Sequence, residues 1–457
     1  MTSGTLAGHA VVAYGFEEFQ QAMARLAPLS PRPQIACAVS GGSDSLALLL
    51  LLDRWCRAQG GQVWALSVDH GLRAEAKTEQ QLVAALCQAR GIGFTALRWT
   101  GVKPGGAIQM AARAARYALL EQQCARQGLV YLALAHQVSD QAETFLLRLA
   151  AGSGVFGLAG MARQRAREDL CLLRPLLAAP KDRLQAFLRA QGVTWVEDPS
   201  NNDPRYDRVR WRQAAEPLRA AGLDGARLSD LTQLYGRLRR QWDRQLAGFF
   251  ATAVDLRPEG FAWLKDDSFV AAPRLLAEAA LTRLLTCVSG AAYPPRQTGV
   301  KALLARWCDN KALDRGVTLG GCRLLPRRGG RVLLVREAAR VEKTTLRAGE
   351  KIHWDGRFSI TLEGEISPPP GPEKQAENGV YSISCLGEAG WRTLCARSPD
   401  LRGGSVPQAA AVTLPALRYL DSLLVVPHLE YPQGLNTPWV RSCRFRPRQL
   451  LAGPAFT

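Results

Sequence analysis

The sequence predicts an α/β fold for residues 1–215, built on a parallel β-sheet. Apolar segments with strand character alternate there with amphipathic segments of helical spacing, which is the pattern of βα units. The polar residues that are candidates for binding or catalysis follow directly after the strands, where open parallel sheets bind their ligands. The predicted strands are 34–39, 63–68, 94–99 and 129–135, and helices are predicted from Leu46, Thr78, Ala107 and Asp140.

The chain has 457 residues, which is too long for one hydrophobic core and suggests about three domains. We expect the α/β domain at 1–215, a mainly helical middle domain at 216–345 and a small β-rich α+β domain at 346–457. In the middle domain, leucines and a tryptophan recur at helical spacing and predict a core-facing stripe. The stripe comprises Leu231, Leu234, Leu238, Trp242 and Leu246, and Arg237, Arg239, Arg240 and Arg244 between them form either a solvated face or an RNA contact.

Short strands are predicted within 317–336, around a basic hairpin turn at 326–330. A proline-rich linker at 367–379 cannot build a core. The β-rich unit beyond it is expected to end near His428. The remaining residues read as a basic tail, which carries Arg441, Arg444, Arg446 and Arg448.

The formal net charge is +18, from 58 Lys and Arg against 40 Asp and Glu, and this excess favours a nucleic acid partner. No apolar run reaches the about 18 residues of a membrane span, and the first 15 residues lack the features of a secretory signal. The 11 cysteines include no Cys-x-x-Cys pair, which argues against disulfides, structural zinc and iron–sulfur clusters. These features predict a cytoplasmic protein that does not bind membranes.

The segment after the first strand has the character of a phosphate-binding loop. Two glycines lie among hydroxyl and carboxylate side chains, directly before a leucine-rich helix whose first amide groups face the loop. The lysine spacing of a Walker loop is missing, and Asp44 suits a divalent cation instead. The alternative is a serine-rich turn that only caps the helix. The predicted nucleotide-binding residues are Ser40, Gly41, Gly42, Ser43, Asp44 and Ser45.

Two further segments carry candidate catalytic groups. Gln109, Arg113 and Arg116 share one helix face, which either neutralises phosphate charge in a transition state or is an exposed polar face. His136 and Asp140 follow the fourth strand, where they would reach the same crevice as the phosphate loop, residues 40–45. Asp140 with Glu143 also has the form of a helix cap, so a structural role remains open.

Asp69, His70 and Gly71 follow the second strand in the same way, although Asp69 or His70 would equally close the strand through a turn. Residues 195–212 combine acidic, amide and basic side chains with Tyr206 and Trp211. This composition suits phosphate contact with base stacking, or a loop held by ion pairs.

Taken in order, these motifs resemble the tRNA(Ile)-lysidine synthetase family of PP-loop ATP pyrophosphatases, whose fold is of the adenine nucleotide α hydrolase-like type. The resemblance covers roughly residues 33–215. It rests on Ser40-Gly-Gly-Ser-Asp-Ser45, Asp69-His-Gly71, Ala112-Arg-Ala-Ala-Arg-Tyr117, His136 with Asp140-Gln-Ala-Glu-Thr144, Gly152-Ser-Gly154, Gly157-Leu-Ala-Gly-Met161, Arg174-Pro-Leu-Leu177 and Glu197-Asp-Pro-Ser-Asn201.

The resemblance implies a ligase that adenylates the wobble cytidine of the minor isoleucine tRNA, whose anticodon is CAU, and then replaces AMP by L-lysine. It implies ATP as co-substrate, Mg²⁺ at Asp44, and catalytic roles for Arg113, His136, Asp140 and Arg208. The sequence departs from the family at Gln109, Gln137, Ser139 and Val209, which leaves the lysine pocket undefined. The oligomeric state, a homodimer included, is also left open. The alternatives are a PP-loop tRNA thiolase and a non-enzymatic RNA-binding protein.

Overall fold

A computed structural model describes residues 11–26, 29–71, 76–101, 103, 108–154, 157–167, 170–197, 215–308, 313, 316–364, 380–419, 422–432 and 439–451. The chain divides into two compact units, one within Met1–Arg240 and the other within Gln241–Ala455. This division does not decide the prediction of three domains, which stays a prediction. The linker predicted at 367–379, Arg208 and most of the 195–212 segment lie outside the described residues.

The first unit is built on a sheet that is mostly parallel, with the strand order β3-β2-β1-β4-β6-β5. Strands β3, β2, β1, β4 and β6 run parallel, and β5 pairs antiparallel with β6 at one edge. The strands are β1 Gln34–Ala38, β2 Gln62–Asp69, β3 Gly93–Arg98, β4 Tyr131–Ala133, β5 Gln164–Arg167 and β6 Leu170–Leu173. The α/β fold with a parallel sheet is therefore confirmed.

Helices cover both faces of this sheet because the side chains of its strands alternate between two cores. On β1, Ile35 and Cys37 are buried in the core that contains α2, whereas Ala36 and Ala38 face the core that contains α4. The helices of this unit are α1 Phe16–Ala24, α2 Ser43–Ala58, α3 Ala76–Ala89, α4 Ile108–Arg126, α5 Val138–Ala150, α6 Lys181–Ala190 and α7 Ala215–Ala220. The next helix, α8, is Gly225–Ala253.

The predicted leucine stripe on α8 is only partly correct. Leu246 is fully buried, but Leu231, Leu234 and Leu238 are 37–44% exposed, whereas Arg239 is buried. The helical period is therefore correct, but the stripe packs only toward its end, at Trp242 and Leu246. Exposure here depends on neighbours that are distant in sequence, which the spacing of leucines does not reveal.

The second unit carries helices and three antiparallel sheets. Their orders are β7-β8-β11-β10-β9, β12-β15-β16-β17 and β13-β14-β18. The strands are β7 Val254–Leu256, β8 Ala262–Lys265, β9 Val317–Leu319, β10 Cys322–Arg327, β11 Arg331–Arg336, β12 Thr344–Arg347, β13 Lys351–Trp354, β14 Phe358–Leu362, β15 Val380–Cys385, β16 Pro415–Tyr419, β17 Ser422–Val425 and β18 Val440–Phe445. The helices are α9 Asp266–Ala271, α10 Arg274–Ser289, α11 Gln297–Cys308, α12 Gly387–Arg397 and α13 Gln408–Ala411.

The basic hairpin predicted near residue 326 is present as β10 and β11. The segment 216–345 contains helices as expected and, in addition, the five-stranded sheet that begins with β7. The predicted basic tail is wrong, because its residues 440–445 form β18 and pair with β14. Pairing across about 80 residues leaves no local signal in the sequence. Within the described residues, the helices are too short or too polar to cross a membrane.

Candidate active site

The strand order places a crevice between β1 and β4. From β1 the chain proceeds to β2 and β3 on one side, and it then crosses over to β4 on the other side. Such a reversal leaves a crevice at the carboxyl ends of the two central strands, where ligands of open α/β sheets bind. The phosphate loop follows β1, and His136 and Asp140 follow β4. Both predicted sets of site residues therefore lie at this one edge of the sheet.

The conformation of the phosphate loop is fixed by its backbone and by its own hydroxyl groups. Gly41 has φ +83°, a left-handed conformation that glycine adopts without strain. Ser45 Oγ donates to the carbonyl of Gly42 at 2.9 Å and accepts from the amide of Ser40 at 3.2 Å. Helix α2 begins at Ser43, three residues earlier than predicted, because Gly42 serves as its N-cap. The loop thus ends in the first helical turn, whose amide groups lack acceptors within the helix.

The segment after α6 packs onto this loop. The Val196 amide donates to the Gly41 carbonyl at 3.0 Å, and the Val196 carbonyl lies 3.9 Å from the Cβ position of Gly42. Glu197 follows at once and is exposed. The motif that starts at Glu197 therefore begins beside the phosphate loop, a contact between distant segments that sequence reasoning did not anticipate.

Asp140 takes part in a helix cap, but in a different way from the one predicted. Gln137 is the N-cap of α5, and its side-chain oxygen accepts from the Ser139 amide at 2.8 Å. Asp140 Oδ2 in turn accepts from the Gln137 amide at 2.9 Å. The predicted cap with Asp140 first and Glu143 second is therefore displaced by three residues. Asp140 is half-buried at the start of the helix, where the helix dipole stabilises its negative charge.

Asp69 closes its strand through a turn, which is one of the two roles that the sequence suggests for it. Its Oδ1 accepts from the Gly71 amide at 2.6 Å, and its side chain is buried. His70 next to it contacts the Trp99 ring edge-on, with the ring centroids 6.5 Å apart. Burial, followed by the charge of Arg116, lowers the pKa of His70, so its imidazole is neutral at physiological pH.

The arginines of α4 lie near the same edge. Arg113 is exposed, and its Nη2 lies 3.5 Å from the Tyr117 hydroxyl. Burial, and to a smaller extent the charge of Arg113, lowers the pKa of Arg116. Helix α4 follows β3 and leads back to the start of the parallel strand β4, so its first turns lie at the carboxyl ends of the strands. Arg113 and Arg116 are thereby placed on the same side of the sheet as the phosphate loop.

Oxygen ligands are available for a cation at the phosphate loop. Asp44 is half-buried at the first turn of α2, and Ser43 Oγ lies 3.3 Å from Asp44 Oδ1. Among the described residues there is no group of three or more His, Cys, Asp or Glu side chains placed to hold a metal. One carboxylate beside a polyphosphate is the arrangement that Mg²⁺ commonly uses, since it keeps waters and binds phosphate oxygens.

The comparisons with known proteins agree with this geometry. A PP-loop domain, which uses ATP, matches residues 16–218. The chain is 37% identical over 405 residues to the tRNA(Ile)-lysidine synthase of Ruegeria pomeroyi, covering 87% of this chain and 89% of that one. It is 39% identical over 300 residues to the synthase of Hyphomonas neptunium, covering 64% and 79%. The synthase of Anaplasma marginale is 30% identical over 423 residues, covering 88% and 87%.

Among solved structures, the U34-tRNA thiolase NcsA of Methanococcus maripaludis is similar at 18% identity and a TM-score of 0.41, covering 49% of this chain and 78% of that one. A likeness of this extent carries no argument about function. The synthases, in contrast, match along most of their length at 30% identity or more. The chain belongs to the tRNA(Ile)-lysidine synthase family.

Proposed function

We propose that this protein forms lysidine at the wobble cytidine of the minor isoleucine tRNA. The 2-carbonyl oxygen of the cytidine attacks the α-phosphorus of ATP, and pyrophosphate leaves. The ε-amine of free L-lysine then attacks C2, the C–O bond breaks, and AMP leaves with that oxygen. One observation carries this proposal: the phosphate loop and His136 with Asp140 follow adjacent strands at one crevice, in a chain of this family.

The phosphate loop binds the β and γ phosphates in this proposal. The amide groups at the start of α2 point toward the loop, and the helix dipole favours negative charge there. Asp44 would hold Mg²⁺, which would neutralise phosphate charge. Arg113 neutralises the charge that develops on the α-phosphate during transfer, when electrostatic stabilisation contributes most to the rate.

His136 and Asp140 receive the lysine amine. The ammonium form of lysine cannot attack, so a proton must leave it before C2 is reached. Asp140 keeps one carboxylate oxygen in the helix cap, which holds the group at the start of α5. We assign Arg208 to ATP or tRNA contact by the resemblance alone. The product pairs with adenine, so the tRNA would read an isoleucine codon in place of a methionine codon, and the enzyme would act in the cytoplasm.

A thiolase on the same domain is the second candidate within this superfamily. Sulfur transfer needs an accessible persulfide cysteine or the ligands of a cluster. Cys37 is fully buried in β1, and burial raises the pKa of its thiol, which disfavours the reactive thiolate. Changing each cysteine to serine separates the candidates, because a thiolase would lose its activity with one of them and a lysidine-forming enzyme would not.

The test is incubation of the full chain with labelled lysine, Mg²⁺ATP and transcribed minor isoleucine tRNA. We expect label at the wobble cytidine and one pyrophosphate per lysine. Asp44→Ala should lower the rate at least 100-fold, because the cation loses its carboxylate. Asp53→Ala is a matched control on the same helix, since Asp53 forms an ion pair with Arg57 at 2.9 Å, two turns beyond the loop. Pyrophosphate release without bound lysine would exclude lysine as the acceptor, and no release would favour a binding protein.

A further inference from the structure

A group of arginines surrounds Tyr117, between α4 and the antiparallel edge of the sheet. The guanidinium carbons of Arg113 and Arg167 each lie 5.3 Å from the centroid of the Tyr117 ring, so each makes a cation–π contact with it. Arg113 is on α4 and Arg167 is on β5, at the antiparallel edge of the sheet. We call Arg113, Tyr117, Arg165, Arg167 and Arg174 the Tyr117 cluster.

Arg174 is the buried member of this cluster. It is 5% exposed, and its Nη1 donates to the Ala162 carbonyl at 2.8 Å. Its Nε has no hydrogen-bond partner among the described residues. Burial lowers the pKa of Arg174, its hydrogen bond with Tyr117 opposes this shift, and the nearby charges of Arg165 and Arg113 lower the pKa further. A buried guanidinium with an unused donor and cationic neighbours is the environment that an anion would stabilise.

The arginines of the cluster bring positive charge close together. Among the described residues, Glu121 pairs with Arg167 at 2.7 Å, and Glu168 and Asp169 directly follow Arg167 in the sequence. Burial and the charge of Arg167 lower the pKa of Arg165, and burial and then the charge of Arg165 lower the pKa of Arg148. Mutual repulsion of this kind is relieved when phosphate groups bind.

The spacing along β5 suits a chain of phosphates better than a single one. Residues two apart on a strand share a face and lie about 6.8 Å apart. Arg165 and Arg167 therefore project side by side, and Arg163, which just precedes the strand, continues the row toward Arg25 and Arg240. An extended row of guanidinium groups matches a polynucleotide backbone, whereas a nucleotide triphosphate is compact.

The position of the cluster relative to the crevice indicates which RNA strand it would contact. Arg174 directly follows β6, which pairs with β4, and His136 and Asp140 follow β4. Arg174 and Arg163 therefore lie at the crevice edge of the sheet, and the row of arginines leads away from it along β5 to Arg167, which pairs with Leu170 at the start of β6. A base that enters the crevice brings its own strand along this row.

We propose that Arg165, Arg167 and Arg174 of the Tyr117 cluster bind the phosphodiester backbone of the RNA strand that carries the reacting base. This inference rests on the proposed function and adds the surface that holds the substrate strand. The ATP phosphates occupy the phosphate loop, so ATP binding without tRNA does not depend on Arg165 and Arg167.

The experiment compares R165Q/R167Q with R57Q/R90Q in the full chain. Arg57 and Arg90 are exposed, and Arg57 Nη2 donates to the Arg90 carbonyl at 2.8 Å beside β3, the edge strand opposite β5, so both doubles lose the same charge. Kd for the minor isoleucine tRNA is measured from 50 to 300 mM salt, and Kd for ATP is measured without tRNA.

For R165Q/R167Q we expect tRNA affinity to fall at least tenfold at 150 mM salt. The slope of log K against log salt should become shallower by about 1.5, because two phosphate contacts are lost. ATP affinity should stay within twofold, and R57Q/R90Q should bind tRNA within threefold of the wild type. Equal losses in both doubles, or weaker ATP binding with unchanged tRNA binding, would overturn the proposal.

Circular dichroism checks that the double variant is folded. If it is not, R167Q alone decides the question, because Arg167 lies at the surface and the slope should still change by about 0.7. Lysine incorporation by the wild type is a separate readout. A wild type that binds tRNA through the cluster but incorporates no lysine would contradict the proposed function and leave the RNA-binding surface standing.

Discussion

Asp140 combines a structural contact and a proposed chemical role, and one substitution separates them. In Asp140→Asn the amide oxygen still accepts from the Gln137 amide, so the helix cap is retained and the free energy of unfolding should change by less than about 1 kcal/mol. The negative charge is lost, and lysine incorporation should fall at least 100-fold. Chemical unfolding and the incorporation assay measure the two effects.

Ser139→Ala is the control for this substitution, since Ser139 Oγ accepts from Gln137 Nε2 at 2.6 Å and belongs to the same cap. It should lower stability slightly and retain most of the activity. Full activity in Asp140→Asn would exclude a charged role for Asp140.

His428 makes the stability of the second unit depend on pH. Burial, and then the charge of Arg357, lowers the pKa of His428 to about 4 from 6.5. A histidine with a lowered pKa stabilises the fold fully above its unfolded pKa, and this contribution is lost as pH falls from about 6.5 toward 4. We expect about 2 kcal/mol of the stability at pH 7.5 to be absent at pH 5.

Urea unfolding of the full chain at both pH values, followed by tryptophan fluorescence, measures this effect. His428→Asn should be less stable than the wild type at pH 7.5 because the contact with the Phe358 ring is lost, but its stability should fall less on acidification. An identical fall in both proteins would assign the pH dependence to other groups.

The start of α5 shows where sequence reasoning about single residues stops. Asp140 was identified, and the structure places it at the expected edge of the sheet. Gln137, its partner in the cap, was not identified. Glutamine is an uncommon N-cap residue, and Asp140 itself is a residue type that often serves as the N-cap. Arg174 was part of a recognised motif, but its contact with Tyr117 depends on strand pairing between β4 and β6.

At the scale of elements, the leucines of α8 that are buried and those that are exposed can be told apart by substitution. Leu246→Ala should lower the free energy of unfolding by about 2–5 kcal/mol, because Leu246 is fully buried. Leu234→Ala, at a residue that is 43% exposed, should cost less than about 1 kcal/mol. Unfolding midpoints of the two variants give the comparison, and a large loss in Leu234→Ala would mean that another surface covers the exposed leucines.

The elements themselves were predictable where their signals are local. Strands β1 to β4 fall within about two residues of their predicted positions, because each apolar run is bounded by polar or glycine residues. The sheet that joins β8 to β11 pairs Leu264 with Val332, and β14 pairs Phe358 with Phe445. The pairing of these strands is determined by packing between segments that are distant in sequence, so the sequence pattern alone did not indicate it.

For the whole molecule, the net charge of +18 predicts how tRNA affinity responds to salt. Each phosphate contact releases counterions from the RNA, and the number released does not depend on the base sequence. Phosphate contacts therefore contribute affinity without sequence discrimination. We therefore expect the plots of log K against log salt for the minor isoleucine tRNA and for an initiator methionine tRNA to be linear and nearly parallel. Slopes within about 1 of each other would place discrimination in contacts to bases. Slopes that differ by more than about 2 would mean that the two tRNAs engage different numbers of arginines, and that shape along the backbone, rather than base contact, separates them.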